Sequence, residues 1–318
     1  MFFSSTRFTL IPHWSVASSR EALIFVLITS RDKWFRQALM NNGFDTRMIN
    51  LDKESLADSV DVLVISDLRD SLSSVAMTKV QDYIAKGGNL FILGEYGRSE
   101  NMNKLTSSLG VKFSDGVLVN ENEYASPTVA VGLFTEEAAQ KYPTYEKLKK
   151  YDYVVGLPTA VALDYSEAHE FEVTPVLISD KNAWLEKETT DFVDGEFVFN
   201  PKAGEKKDVY TLLLTMSRKV GDKEQRIVIS GDSDVIGNEA LTSGFTGIGA
   251  SNYSIINGSF RWLSYDEFPI DTRRADYIDS SIRLPRGCRS LVSWACMAIF
   301  PLCIAALGIM IIFRRQRK

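Results

Sequence analysis

Asp61-Val-Leu-Val-Ile-Ser66 and Asn89-Leu-Phe-Ile-Leu-Gly94 each hold an unbroken run of four apolar residues, and between them Leu72, Val75, Ala76, Val80, Tyr83 and Ile84 recur at helical spacing. Apolar runs without polar alternation suit strands covered on both faces, as in a parallel sheet. Asp70 or Ser71 offers an N-cap for the intervening helix, and Gly87-Gly88 stops it. A strand, a helix and a strand at this spacing make a right-handed crossover unit with parallel strands.

The same grammar extends to both sides. Leu23-Ile-Phe-Val-Leu-Ile28 reads as another buried strand. Residues 31–42 read as a helix with Trp34, Phe35, Ala38 and Leu39 on one face and Asn42-Gly43 at its end, followed by a strand over residues 46–51. Residues 100–109 give a short helix ending at Gly110. The expected fold class is therefore α/β, with a doubly wound, mostly parallel sheet. Residues 115–205 are less regular, with short strands over 160–165 and 171–179, and read as a β-rich insertion or rim. Residues 209–217 and 226–230, around Gly221-Asp222, predict an antiparallel hairpin on the sheet. A last helix is expected over 251–264, with Tyr253, Ile256, Phe260 and Leu263 on one stripe. The organisation is then an N-terminal segment (1–20) with no assigned role, a soluble α/β domain (21–268), a polar linker (269–289), a membrane span (290–313) and a basic tail (314–318).

The span rests on an uncharged stretch from Leu291 to Phe313, which at about 1.5 Å per residue covers roughly 35 Å, enough for a hydrocarbon core of about 30 Å. Arg314, Arg315, Arg317 and Lys318 follow it, while Arg283, Arg286 and Arg289 precede it. The basic bias leans narrowly toward a cytoplasmic C-terminus, hence a soluble domain outside the cytoplasm at the inner membrane. Pro12, His13, Ser15, Ser18 and Ser19 break the first apolar stretch, so no good signal segment is legible. Either the chain is tail-anchored facing the cytoplasm, or it is the C-terminal part of a longer membrane protein.

Composition excludes several classes. With 45% hydrophobic residues, 24% charged residues and a net charge of −5, neither disorder nor nucleic-acid binding is favoured. Cys288, Cys296 and Cys303 all lie in or beside the span, so the α/β domain has neither a disulfide framework nor a thiol nucleophile. Gly244-Phe-Thr-Gly-Ile-Gly249 lacks the order, the preceding strand and the lysine of a phosphate loop, and no cofactor is expected. Any ATP used by a complex containing this chain is expected on another subunit.

The candidate site residues lie at strand ends. Ile229-Ser-Gly-Asp-Ser-Asp-Val-Ile-Gly-Asn238 carries a strand into an acidic turn, and ligands of open α/β sheets gather at the carboxyl ends of strands. Asp232 and Asp234, with Asn238, are the best-placed polar residues; two carboxylates two residues apart can converge on one ion. The competing reading is that Asp and Gly only shape the turn. No third acidic or histidine ligand is spaced along the chain to complete a shell, which favours that reading and predicts no metal. Glu95, in Gly94-Glu-Tyr-Gly97, holds a strand-end position where hydrolases place a nucleophile, but it is neither Ser nor Cys. His13 and His169 are the only histidines and sit in poor contexts for a catalytic pair. Trp14, Trp34, Trp184 and Trp262 read as core.

Several segments, in order, resemble the soluble domain of auxiliary components of ABC-type transport systems, the family that includes the gliding-motility protein GldG. They are Asp61-Val-Leu-Val-Ile-Ser66 with Tyr83-Ile-Ala-Lys-Gly-Gly-Asn-Leu-Phe-Ile-Leu93; Asn103-Lys-Leu-Thr-Ser-Ser-Leu-Gly-Val111; Val173-Thr-Pro-Val-Leu-Ile-Ser-Asp-Lys-Asn-Ala-Trp184; and Arg226-Ile-Val-Ile-Ser-Gly-Asp-Ser-Asp-Val235, with Asn257, Phe260, Trp262 and Leu263 downstream and a terminal span. The resemblance covers roughly residues 55–318. It implies an extracytoplasmic flavodoxin-like or class I amidotransferase-like domain without catalytic residues, working beside an ABC permease and ATPase. The expected function is a non-enzymatic, membrane-anchored accessory subunit that contacts a permease partner or a ligand. The alternative is a membrane-tethered hydrolase or transferase using Asp232 and Asp234, with or without a metal.

Overall fold

The computed structural model describes residues 22–23, 44–45, 50–56, 60–120, 126–166, 170–189, 191, 196–237, 251–267 and 292–317. The strand expected beyond Leu23, the helix over 31–42, most of the strand over 46–51, the linker, Trp14, Trp34, His13, His169 and Asn238 lie outside the described residues. The chain divides into two compact units between Asp271 and Thr272.

In the first unit, β1 (Ala22–Leu23) and β2 (Phe44–Asp45) form a short parallel pair. β3 (Val62–Ser66), α1 (Ser74–Ala85) and β4 (Asn89–Leu93) are the crossover unit expected from residues 61–94, and the two strands are parallel. The cap of α1 is Ser73, whose Oγ accepts from the Ala76 N–H at 3.0 Å; Ser71, two residues earlier, instead donates to Asn101 Oδ1 at 2.7 Å. α2 (Ser99–Thr106) runs through a 3-10 turn (Ser107–Leu109) into β5 (Val111–Phe113) and then β6 (Val117–Val119).

Residues 126–189 supply β7 (Val129–Phe134), α3 (Glu136–Lys141), α4 (Pro143–Lys150), β8 (Val154–Pro158), β9 (Leu163–Tyr165), β10 (Glu172–Ile178) and β11 (Trp184–Glu186). The hairpin β12 (Thr211–Val220) and β13 (Lys223–Ser230) turns at Gly221-Asp222, and α5 (Asn252–Leu263) closes the unit.

One seven-stranded sheet runs in the order β3-β4-β13-β12-β10-β7-β8. Only β3–β4 and β4–β13 pair in parallel; the four other neighbouring pairs are antiparallel. The expectation of a mostly parallel sheet is corrected to a mixed α/β sheet. A two-residue turn between β12 and β13 can join only antiparallel strands. β7, β8 and β10, all from the irregular stretch, extend the same sheet beyond that hairpin. β10 carries Pro175, and its register with β12 shifts on either side of Leu177, where β7 joins it.

Strand alternation divides the core between the two faces. Val62, Val64, Phe91, Leu93 and Val228 pack in one cluster with Ile255, Ile256, Phe260 and Leu263 of α5 and with Tyr142, Tyr145 and Leu148. Leu63, Ile65, Leu90, Ile92, Ile227 and Ile229 pack in the other, with Ala76, Val80 and Ile84 of α1 and Met102 and Leu105 of α2. Phe260 lies edge-on to Phe91, with ring centroids 5.4 Å apart. Tyr253, expected on the buried stripe of α5, is exposed, while Ile255 is fully buried. Trp184 is buried and Trp262 partly so. Asn252 ties the start of α5 to edge strand β8: its Nδ2 donates to the Gly156 carbonyl at 2.7 Å, and its Oδ1 accepts from the Gly156 N–H at 3.1 Å.

The second unit contains a 25-residue helix, Val292–Gln316, long and apolar enough to cross a membrane. After one α-helical turn over residues 292–294 it is π-helical (Ala295–Ile299) and continues as α6 (Phe300–Gln316). Pro301 has no N–H to donate four residues back, so the wider turn falls where the ordinary ladder cannot form. Among its described residues every large apolar side chain is exposed, as a lipid-facing helix requires.

Candidate functional site

The three parallel strands each end in an acid. Backbone pairing runs one residue past their ends: the Asp67 N–H donates to Leu93 O at 3.0 Å, and the Gly94 N–H donates to Ser230 O at 2.8 Å. β3 therefore delivers Asp67, β4 delivers Glu95 after Gly94, and β13 delivers Asp232 after Gly231. Asp67 is buried, has a positive φ of 44°, and is held by Arg69 Nε at 3.1 Å and Arg98 Nε at 2.9 Å. It is thus an ion-paired tie.

Glu95, Asp232 and Asp234 converge: each offers a carboxylate oxygen, and these oxygens all lie within 4.8 Å of one another. Asp232 is completely buried, Glu95 half-buried and Asp234 exposed, so the cluster runs from the interior to the surface. Glu95 Oε1 accepts from the Tyr96 N–H at 3.0 Å and from Thr159 Oγ1 at 3.1 Å, and its Oε2 accepts from Ser233 Oγ at 2.7 Å. Asp232 Oδ1 accepts from the Asp234 N–H at 2.8 Å, whereas Asp232 Oδ2 has no hydrogen-bond partner.

Close backbone approach makes this convergence possible. The Gly231 N–H donates to Leu212 O at 2.8 Å, and Gly231 O accepts from the Val161 N–H at 2.9 Å. A Cβ at residue 231 would lie 1.9 Å from the Val161 carbonyl oxygen. Glycine there lets the segment 159–162 cross the strand ends, with Ala160, Val161 and Ala162 buried. Thr159, at φ 50°, is thereby set beside Glu95. At Gly94 a Cβ would meet the Phe113 ring at 2.2 Å, which fixes the path of β4 into Glu95.

Burial pushes Glu95 up to about 7, and the negative Asp234 adds to the rise, against hydrogen bonds from Ser233, Tyr96 and Thr159. Burial also raises Asp232 well above its ordinary value, reinforced by Glu95 and then Asp234 and opposed by the Asp234 and Val235 amides. The consequence for stability has a definite sign. Folded Glu95 holds its proton to a higher pH than unfolded Glu95, so its contribution is fully present below about 4.5 and is lost as pH rises through about 7. In chelator-treated buffer, Glu95→Gln is expected to remove that part of the pH dependence, on the order of 3 kcal/mol or less. Urea unfolding of parent and variant at pH 5 and pH 8 checks it.

The structure thus brings Glu95 together with Asp232 and Asp234 and supplies the third carboxylate that sequence spacing did not. The signal was present in Leu93-Gly-Glu95 and Ser230-Gly-Asp232, two strands that each end in glycine then acid. Ser233 and Thr159 complete the surroundings; nothing in the sequence pattern points to Thr159.

A family model described as an ABC-type uncharacterized transport system matches residues 18–254, which is most of the first unit. The chain belongs to this family of ABC-transport auxiliary proteins. No curated protein matches it. Among solved structures, the mmIFT52 N-terminal domain is similar with a TM-score of 0.54 at 15% identity, covering 76% of this chain and 97% of that one. A ThuA-like protein from Bacteroides uniformis matches at 11% identity and a TM-score of 0.45, covering 82% of this chain and 95% of its own. At such identities the first likeness concerns the fold alone.

Proposed function

We propose that this chain is a non-enzymatic accessory subunit of an ABC-type transport complex, anchored in the membrane by Val292–Gln316. The observation that carries the reading is the family match over residues 18–254, with the apolar helix downstream as support. In this reading the α/β unit contacts the permease or a ligand through loops at the carboxyl ends of β3, β4 and β13, where the segment 159–162 also lies. Arg314, Arg315, Arg317 and Lys318 favour a cytoplasmic tail and an extracytoplasmic α/β unit. The likeness to gliding-motility members adds a motility-associated transporter as the specific setting. ATP binding and hydrolysis fall to a separate ATPase subunit. Co-purification of the full chain with an ABC permease and ATPase from native membranes tests this role.

A further inference from the structure

We propose that Glu95, Asp232 and Asp234 form a binding site for one hard divalent cation of the Ca²⁺, Mg²⁺ or Mn²⁺ class. Two independent observations carry the site. The first is geometric: three carboxylates from two different strand ends place oxygens within 4.8 Å of one another, close enough for all three to reach one ion. The second is chemical: Asp232 is 0% exposed, yet its Oδ2 has no hydrogen-bond partner. A buried carboxylate oxygen without a partner is unfavourable, and a cation satisfies it as a hydrogen-bond donor would.

The protein holds this acid in place instead of letting it turn to water. Asp232 Oδ1 is fixed by the Asp234 N–H, and Glu95 is fixed by Tyr96, Thr159 and Ser233. Such second-layer hydrogen bonds orient the carboxylates before an ion arrives. The donor set defines the ion class. All three groups are carboxylates and the side chains bonded to Glu95 are the hydroxyls of Thr159 and Ser233, a set that suits hard, oxygen-seeking cations over those preferring imidazole or thiolate. Exposed Asp234 places the cluster's outer edge at the surface, where water can fill remaining coordination positions. The inference stands on the geometry of the first unit, whether or not the chain serves a transporter.

The test uses the full chain in detergent micelles, stripped with chelator and exchanged into metal-free buffer near neutral pH. CaCl₂, MgCl₂ and MnCl₂ are titrated separately by calorimetry into the parent, Glu95→Gln and Asp234→Asn. At least one of the three ions is expected to bind saturably, one per chain, and roughly tenfold or more weaker in both variants. Asp234 is exposed, so its variant is expected to keep the parent's circular dichroism and remain a fair comparison even if Glu95→Gln perturbs folding. Absence of saturable binding for all three ions, or binding that Asp234→Asn leaves unchanged in a folded protein, would overturn the site and leave the cluster a proton-sharing group only.

Discussion

Gly231→Ala is expected to cost the α/β unit about 3 kcal/mol or more, a large part of the 5–15 kcal/mol that stabilises an ordinary domain. The added methyl would sit 1.9 Å from the Val161 carbonyl oxygen, and the obstacle is backbone, which cannot swing aside as a side-chain tip can. Moving the segment 159–162 outward would stretch the bond from the Val161 N–H to Gly231 O. Moving β13 would stretch the bond from the Gly231 N–H to Leu212 O. Either movement also disturbs Thr159 and Asp232, so the acid cluster is lost with the packing. A urea midpoint well below the parent's is the predicted result; an unchanged midpoint would show that the crossing is looser than described.

The second large effect concerns the helix Val292–Gln316. Ending the chain at residue 289 is expected to move it from the alkaline-carbonate-resistant membrane pellet to the supernatant while leaving the α/β unit folded. In the centre of a span, each Leu, Ile, Phe or Val favours insertion by about 0.3–0.6 kcal/mol, and no acidic or basic residue from Leu291 to Phe313 opposes it. Within the described first unit Phe44 and Phe91 each meet Phe260, and Trp184 is buried. Retention of the truncated chain in the carbonate-washed pellet would show that another segment anchors it.

The parts of the fold written locally were legible. Residues 61–94 announce a crossover unit because both strands are apolar throughout and Gly87-Gly88 ends the helix between them. Gly221-Asp222 announces a hairpin for the same kind of reason. Strand partners distant in sequence leave no such mark. β7 shows half-buried alternation and β10 contains Pro175, so each reads alone as a rim segment, although together they extend the main sheet. The site divides in the same way. Asp232 and Asp234 were readable because a turn follows an evident strand, whereas the place of Glu95 beside them depends on β4 pairing with β13 in the register Leu93↔Ser230. Thr159 depends on a loop crossing over both.

That pairing assembles the acids, whereas the proposed accessory role turns on the company the chain keeps. Its most direct test is mild-detergent purification of the tagged full chain from its native membranes, with quantitative mass spectrometry against an untagged control. One ABC permease and one ABC ATPase are expected to be strongly enriched together with the chain. Recovery of the chain with neither subunit enriched, from membranes that contain both, would contradict it.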